Sequence, residues 1–243
     1  MTSLRYAAAT DPGLRHRRNE DYWYANTERG LFFVTDGMAN EVTPHFILET
    51  LPGLVREELA DLIDLTSADA ASRMQNVLRG LNEQVQNQRL DLWTPSGGIG
   101  ATLVVLLVRG DNALVAHLGD SRLYLHEDSQ IRQITRDHSF AQELLDSGKI
   151  TMPEVLASRA TSGPTRFIGM PGAADADVQA LPVRTGERFL LCSDGLTDML
   201  MDEEIAAVLA KYPSMEDATQ QLIAAANEAG GRDNITALLV GLA

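Results

Sequence analysis

Short apolar runs rich in Val, Leu, Phe and Tyr recur along the chain at about 31–35, 102–108, 113–118, 122–126, 131–135, 187–193 and 235–240, each closed by polar turn residues. Runs of that length and composition read as β-strands. Arg109-Gly110-Asp111-Asn112 joins the second run to the third, and Glu127-Asp128-Ser129-Gln130 joins the fourth to the fifth. Neither connection has room for a helical crossover, so the strands it joins must pair antiparallel. Helical periodicity covers about 43–63, where Pro52 is expected to kink or split the helix, and 68–90, where Thr66 and Ser67 offer N-caps. Further helices are expected at about 139–148, 202–211 and 215–229, the last ending before Gly230-Gly231, while 91–100 reads as loop. The helices come in blocks instead of alternating with strands. That order implies antiparallel sheets covered by helices, not a doubly wound parallel sheet.

Composition narrows the partners. With 243 residues, 44% apolar and 22% charged, and with no Pro/Gly/Ser-rich linker, the chain is expected to form one globular domain over 1–243. Its 20 basic and 34 acidic residues leave a net charge of 20 − 34 = −14, which repels phosphate backbones and anionic membranes, so neither nucleic acid nor membrane is an expected partner. Cys192 is the one cysteine and lies in Phe189-Leu190-Leu191-Cys192, where it reads as a buried, inert thiol. No apolar h-region and no membrane-length apolar window occurs, so a soluble, cytoplasmic protein is expected.

The chemistry is carried by acidic residues at strand ends: Asn19-Glu20-Asp21, Asp36-Gly37-Met38, Asp194-Gly195 and Asp233-Asn234. Asp36 and Asp194 directly follow apolar runs, and Asp233 precedes one. A glycine after Asp36 and Asp194 lets the backbone turn sharply and approach a ligand. Aspartates are common in turns without further purpose, and that reading stands beside the functional one. If the carboxylates converge, protons or cations must offset their repulsion; oxygen donors without nearby Cys or His favour Mg²⁺ or Mn²⁺ over Zn²⁺.

Eight ordered motifs span nearly the whole chain: Thr10-Asp11-Pro12-Gly13 through Asn19-Glu20-Asp21, Asp36-Gly37-Met38, Gly98-Ile99-Gly100-Ala101-Thr102, Gly119-Asp120-Ser121-Arg122, Thr135-Arg136-Asp137-His138-Ser139, Thr165-Arg166, Ser193-Asp194-Gly195-Leu196-Thr197-Asp198 and Gly231-Arg232-Asp233-Asn234-Ile235-Thr236. Together they resemble the signatures of the type-2C metal-dependent protein serine/threonine phosphatases, in their compact bacterial form. The resemblance implies an α+β fold, a four-layer sandwich of two antiparallel sheets flanked by helices. It implies that Asp36 bridges two metal ions, that the Gly37 carbonyl binds one, and that Asp21, Asp194 and Asp233 complete the pair, with Glu20 beside them. Asp120 corresponds to the ligand of a weaker third ion shared with Asp194, and Asp36, Asp120 and Asp194 are the positions expected to carry catalysis. Residues about 137–165 correspond to a flap beside the site.

The implied reaction is direct hydrolysis of phosphoserine or phosphothreonine by a hydroxide bridging two cations ~3.5–4 Å apart, without a phosphoenzyme. The implied partners are phosphorylated proteins, the products of a serine/threonine kinase. Two positions depart from the family pattern. His16, among Arg15, Arg17 and Arg18, stands where a phosphate-binding arginine is usual, which makes Arg15, His16 and Arg17 the candidates for substrate binding. Ala39-Asn40-Glu41 replaces the usual Gly-Gly-His after Asp-Gly-Met. His117 and His126 read as structural, and His138 as a residue that orients the flap. An alternative is a phosphatase-like module that binds phosphoproteins with weak or no turnover; lost metal ligands would mark it, and none is lost. A nuclease is disfavoured by the charge.

Overall fold

The computed structural model describes residues 3–38, 41–88, 100–151 and 163–243. Ten strands run in order: β1 Leu4–Asp11, β2 Tyr22–Asn26, β3 Leu31–Gly37, β4 Ala101–Arg109, β5 Asn112–Leu118, β6 Arg122–Glu127, β7 Gln130–Gln133, β8 Asp177–Pro182, β9 Arg188–Cys192 and β10 Ile235–Leu242. The helices are α1 Val42–Leu59, α2 Ala68–Gln88, α3 Phe140–Asp146, α4 Asp194–Thr197, α5 Asp202–Lys211 and α6 Met215–Glu228. Two five-stranded sheets form, ordered β1-β10-β9-β6-β7 and β2-β3-β4-β5-β8, with every pairing antiparallel. The expected four-layer α+β sandwich is the observed architecture.

The central strands read as unbroken apolar runs because both of their faces are covered. Phe32 and Val34 of β3, and Val104 and Leu106 of β4, meet Leu123, Phe189, Leu191, Leu238 and Val240 of the opposite sheet. Their neighbours Leu31, Phe33, Leu103 and Val105 pack on the other face against Ile47, Leu51, Met74 and Leu78 of α1 and α2. Leu190, Cys192, Ala237 and Leu239 meet α5 and α6 through Ile205, Leu209, Leu222 and Ala226. Antiparallel sheets usually wet one face, and helices on both sides of this pair remove that signature.

Pro52 does not split α1 into two elements; the helix runs 18 residues through it. Ile47, Leu51, Val55 and Leu59 recur every four residues and are all buried, so tertiary packing outweighs the one hydrogen bond that proline forfeits. Ser67 is the working cap of α2, its hydroxyl accepting from Ala70 N at 3.2 Å, whereas Thr66 bonds Asp64. Ser139 and Ser214 cap α3 and α6 in the same way. The loop at 91–100 lies outside the described residues except for Gly100, as do Ala39, Asn40 and residues 152–162 of the flap segment.

Register brings one set of strand ends together. Tyr22 pairs with Thr35, Asp36 with Thr102, Leu103 with Leu118, Arg122 with Cys192, and Cys192 with Ala237. The starts of β2, β4, β6 and β10 therefore share an edge with the ends of β3, β5 and β9. Two-sided burial has a direct test in alanine substitutions along β4. Leu103→Ala and Leu106→Ala, on opposite faces, should each cost about 2–5 kcal/mol in denaturant unfolding. If one of them stayed within about 0.5 kcal/mol of wild type, the range of a surface position, one face would be open.

Candidate metal centre

All five aspartates singled out above sit on that shared edge: Asp21 before β2, Asp36 at the end of β3, Asp120 between β5 and β6, Asp194 after β9 and Asp233 before β10. Asp21 is fixed by its neighbours. Ser193 donates its hydroxyl hydrogen to Asp21 Oδ2 at 2.7 Å while accepting from Thr236 N at 3.0 Å, and Asp21 N donates to Asn19 Oδ1 at 3.1 Å. Gly195 has to be glycine because a Cβ there would stand 2.0 Å from the Asn234 carbonyl oxygen, so the loops bearing Asp194 and Asp233 touch backbone to backbone. Gly37 follows Asp36 at the same edge, and Glu20 is half-buried beside Asp21.

These carboxylates disturb one another. Asp36 titrates well above the ordinary carboxylate range, first because it is buried and then because Asp21, Asp194, Asp233 and Asp120 repel its charge. Asp194 is raised in the same way, by burial first and then by Asp120, Asp198, Asp233 and Asp21. Burial lifts Asp21 to about 6 against the hydrogen bonds from Ser193 and Thr236, and lifts Asp120 to about 7 with help from Asp137. Asp21 Oδ1, Asp120 Oδ1 and Asp194 Oδ1 are buried oxygens with no hydrogen-bond partner. Orphaned anionic oxygens of this kind are costly unless a cation meets them, and an all-oxygen donor set suits Mg²⁺ or Mn²⁺. The residues present fit such ions.

Asp198 went unassigned in the sequence, although it closes the Ser193-to-Asp198 motif; its charge raises both Asp120 and Asp194. Arg122 of Gly119-Asp120-Ser121-Arg122 is taken up internally. Its guanidinium grips Asp137 at 2.5–3.1 Å and donates to Tyr124 Oη at 2.8 Å. That pair anchors Asp137 beside the segment that carries Asp120. Cys192 is buried with its thiol pushed up to about 12, so it is inert as expected.

The basic loop divides. His16 Nε2 lies 3.4 Å from Asp233 Oδ1, and Arg18 Nη1 lies 3.7 Å from Glu41 Oε1. Arg15 and Arg17 are exposed. His16 is therefore brought to the carboxylate edge, while Arg15 and Arg17 remain on the surface of the same loop.

A second cluster joins His117, His138 and Asp177, which sequence spacing did not associate. His117 and Asp177 are cross-strand partners in β5 and β8, and the His117 and His138 rings stack at 4.5 Å. Gly119 N–H donates to His138 Nδ1 at 3.3 Å, which assigns the proton of the neutral ring to Nε2, facing Asp177 Oδ2 at 3.3 Å. That nitrogen is a donor and has no lone pair for a metal, and Arg166 already offsets Asp177 at 3.0 Å. His138 titrates at about 4 because of burial, then His117 and Arg166. Its backbone oxygen accepts from Thr165 N at 2.7 Å, which ties His138 to Thr165.

Comparison with known proteins places this α/β/β/α sandwich, with its carboxylate cluster at one end of the paired sheets, within a family. The family model for protein phosphatase 2C matches residues 15–240. The chain is 34% identical over 244 residues to the serine/threonine protein phosphatase PstP of Mycobacterium tuberculosis, covering 97% of this chain but 44% of that protein. It is 30% identical over 241 residues to the serine/threonine phosphatase stp of Listeria monocytogenes, covering 95% and 93%. The catalytic domain of PstP in complex with two manganese ions superposes with a TM-score of 0.83 at 31% identity, over 100% of this chain and 99% of that one. Stp1 from Staphylococcus aureus gives 0.88 at 31%, over 99% and 95%. This chain belongs to the protein phosphatase 2C family, and it spans less than half the length of the mycobacterial relative.

The raised carboxyl pKa values make stability depend on pH and metal. A carboxyl whose folded pKa exceeds its unfolded value of about 3.9 binds more protons when folded, so stability falls as pH rises toward the folded pKa. His138, lowered to about 4, acts oppositely, but only below about 6.5, where its unfolded form still binds a proton. Above about 6.5 the carboxyls of Asp120, Asp36 and Asp194 dominate this cluster. Chelator-treated protein should therefore melt at a lower temperature at pH 8 than at pH 6.5, and Mn²⁺ should raise Tm more at pH 8. A melting temperature indifferent to Mn²⁺ at both values would contradict the metal centre.

Proposed function

We propose that this chain is a single catalytic domain over 1–243, with its flap at about 137–165, that hydrolyses phosphoserine and phosphothreonine in proteins using Mn²⁺ or Mg²⁺. The observation that carries the reading is the set of three partnerless buried oxygens on Asp21, Asp120 and Asp194, within a cluster of carboxyls that repel one another. Asp21, Asp36, Asp194, Asp233 and the Gly37 carbonyl would hold two ions, and Asp120 with Asp194 a weaker third. When bound, such ions offset the charge of a phosphoryl group and lower the pKa of water, which suits direct hydrolysis.

The chain's own groups have definable tasks. Ser193 and Asn19 hold Asp21 in one orientation, and Gly195 lets the Asp194 and Asp233 loops meet. Preorganised positions of this kind lower the cost of assembling the reacting groups. No side-chain nucleophile is required, in agreement with the inert Cys192. His16, next to Asp233, is placed to meet the phosphate, with Arg15 and Arg17 further along the same loop. The partners on this reading are phosphorylated proteins made by a serine/threonine kinase, and the compartment is the cytoplasm, where a lone cysteine stays a free thiol. A binding module without turnover is the weaker reading, since every expected ligand position is filled.

Release of phosphate from a phosphothreonine peptide, with and without Mn²⁺, tests the activity. Asp194→Asn and Asp233→Asn should lower kcat by at least about a hundredfold, the scale of losing one electrostatic contact to the reacting group. Asp194→Asn should also raise the metal-free Tm, because it removes a repelled, desolvated carboxyl. Asp120→Ala should keep two tight Mn²⁺ ions in calorimetric titration yet lose much of its turnover. Near-normal activity of the Asn variants in chelator would overturn the proposal, and loss of a tight ion in Asp120→Ala would overturn the role given to Asp120.

A further inference from the structure

The loop from Pro12 to Arg18 is held unusually firmly for an exposed segment. Asn234 is buried, and its amide Nδ2 donates to both ends of this stretch, Pro12 O and Arg18 O, at 2.9 Å, while its Oδ1 accepts from Glu20 N just beyond it at 2.7 Å. Leu14 N donates to Gly231 O at 2.8 Å. Gly13 adopts a φ of +72°, and a Cβ there would stand 2.2 Å from the Asp233 carbonyl oxygen, so the turn is seated directly on the metal-ligand loop. A loop pinned at both ends has little freedom left to lose when it binds.

What it presents is cationic in a chain of net charge −14. Its even-numbered basic residues face acids of the protein itself, His16 with Asp233 and Arg18 with Glu41. Arg15 and Arg17 are exposed and make no ion pair among the described residues, and the same holds for exposed Arg232, which follows Gly231 and so adjoins Leu14. Elsewhere among the described residues Arg73, Arg79, Arg122, Arg136, Arg166 and Arg184 contact carboxylates, while Arg5 in β1, Arg29 between β2 and β3 and Arg132 in β7 are exposed without an ion pair but lie in other parts of the fold. Arg15, Arg17 and Arg232 are thus three uncompensated guanidiniums on two loops that touch backbone to backbone, one loop carrying Asp233 and the other the exposed apolar side chain of Leu14.

We propose that Arg15, Arg17 and Arg232 form a reader for acidic residues flanking the phosphorylated serine or threonine, and that the substrates this site prefers carry Asp or Glu beside the phosphoryl group. Guanidinium forks match carboxylates. The local cations also supply what an acidic peptide needs in order to approach a protein whose overall field repels it. Gripping the reacting phosphoryl group falls instead to the metal ions and His16. The inference rests on the phosphatase reading; it moves Arg15 and Arg17 from the phosphoryl group to its flanking residues and adds Arg232, to which the sequence assigned no role.

The test uses three phosphothreonine peptides of one core sequence, flanked by Asp, Ala or Lys, with saturating Mn²⁺ at ~0.15 M salt, where the long-range field is screened beyond about 8 Å. Wild type should favour the Asp-flanked over the Lys-flanked peptide by about tenfold in kcat/KM, mainly through KM, the scale expected of a few exposed ion pairs. The variant Arg15→Ala/Arg17→Ala/Arg232→Ala should bring the ratio close to one. It should lose more on the Asp-flanked peptide than on p-nitrophenyl phosphate, which has no flanks. Equal kcat/KM for the three peptides in wild type, or a preference that survives in the triple variant, would overturn the reader. Equal losses on p-nitrophenyl phosphate and the Asp-flanked peptide would do so too, because the arginines would then hold the phosphoryl group itself. Failure to hydrolyse any of the peptides would instead overturn the phosphatase reading.

Discussion

Five aspartates crowd one end of this molecule, four of them with pKa values raised by burial and by one another's charge, and that crowding is the constraint to which the rest of the site answers. Desolvation alone opposes each charge, and proximity adds repulsion. A fold keeps such groups together only if surrounding structure over-determines their positions and something positive completes them. The backbone contact at Gly195, the Ser193 bond to Asp21 and the Arg122–Asp137 pair provide the first condition. On the function proposed above, divalent cations would provide the second.

The sandwich is the means by which distant sequence positions reach that end. Strand register aligns Asp36 with Thr102 and sets the last residues of β9 against the first of β10, and with the two sheets packed Ser193 reaches Asp21, 172 positions away, without the two belonging to one element. Rigidity comes from covering both faces of each sheet. It costs the chain the alternating pattern by which sheets are usually read, but it fixes strand ends well enough for loops to hold ligands.

Legibility followed burial. Strands β3, β4, β5, β6, β9 and β10 were readable because each carries a run of buried apolar residues, whereas β7, an edge strand read at 131–135, forms at Gln130–Gln133. Strands β1, β2 and β8 were not anticipated, and each lies at a sheet edge with mostly half-buried or exposed positions, so composition there carries little signal. Pro52 misled in the other direction, since a local penalty was outweighed by four buried side chains that only the tertiary fold lines up. Within the site the motif order named Asp21, Asp36, Asp120, Asp194 and Asp233 without geometry. The partners that hold them could not be read: the meeting of His16 with Asp233, the Asn234 amide across the basic loop, and the His117–His138 stack all join segments by topology, not by spacing.

Everything proposed for this chain depends on cations occupying the carboxylate end. The most direct measurement is an anomalous difference map from crystals grown with Mn²⁺. Two strong peaks among Asp21, Asp36, Asp194 and Asp233, with a weaker one between Asp120 and Asp194 at high Mn²⁺, is the result expected. An empty carboxylate end, or manganese bound at His117, His138 and Asp177 instead, would contradict it.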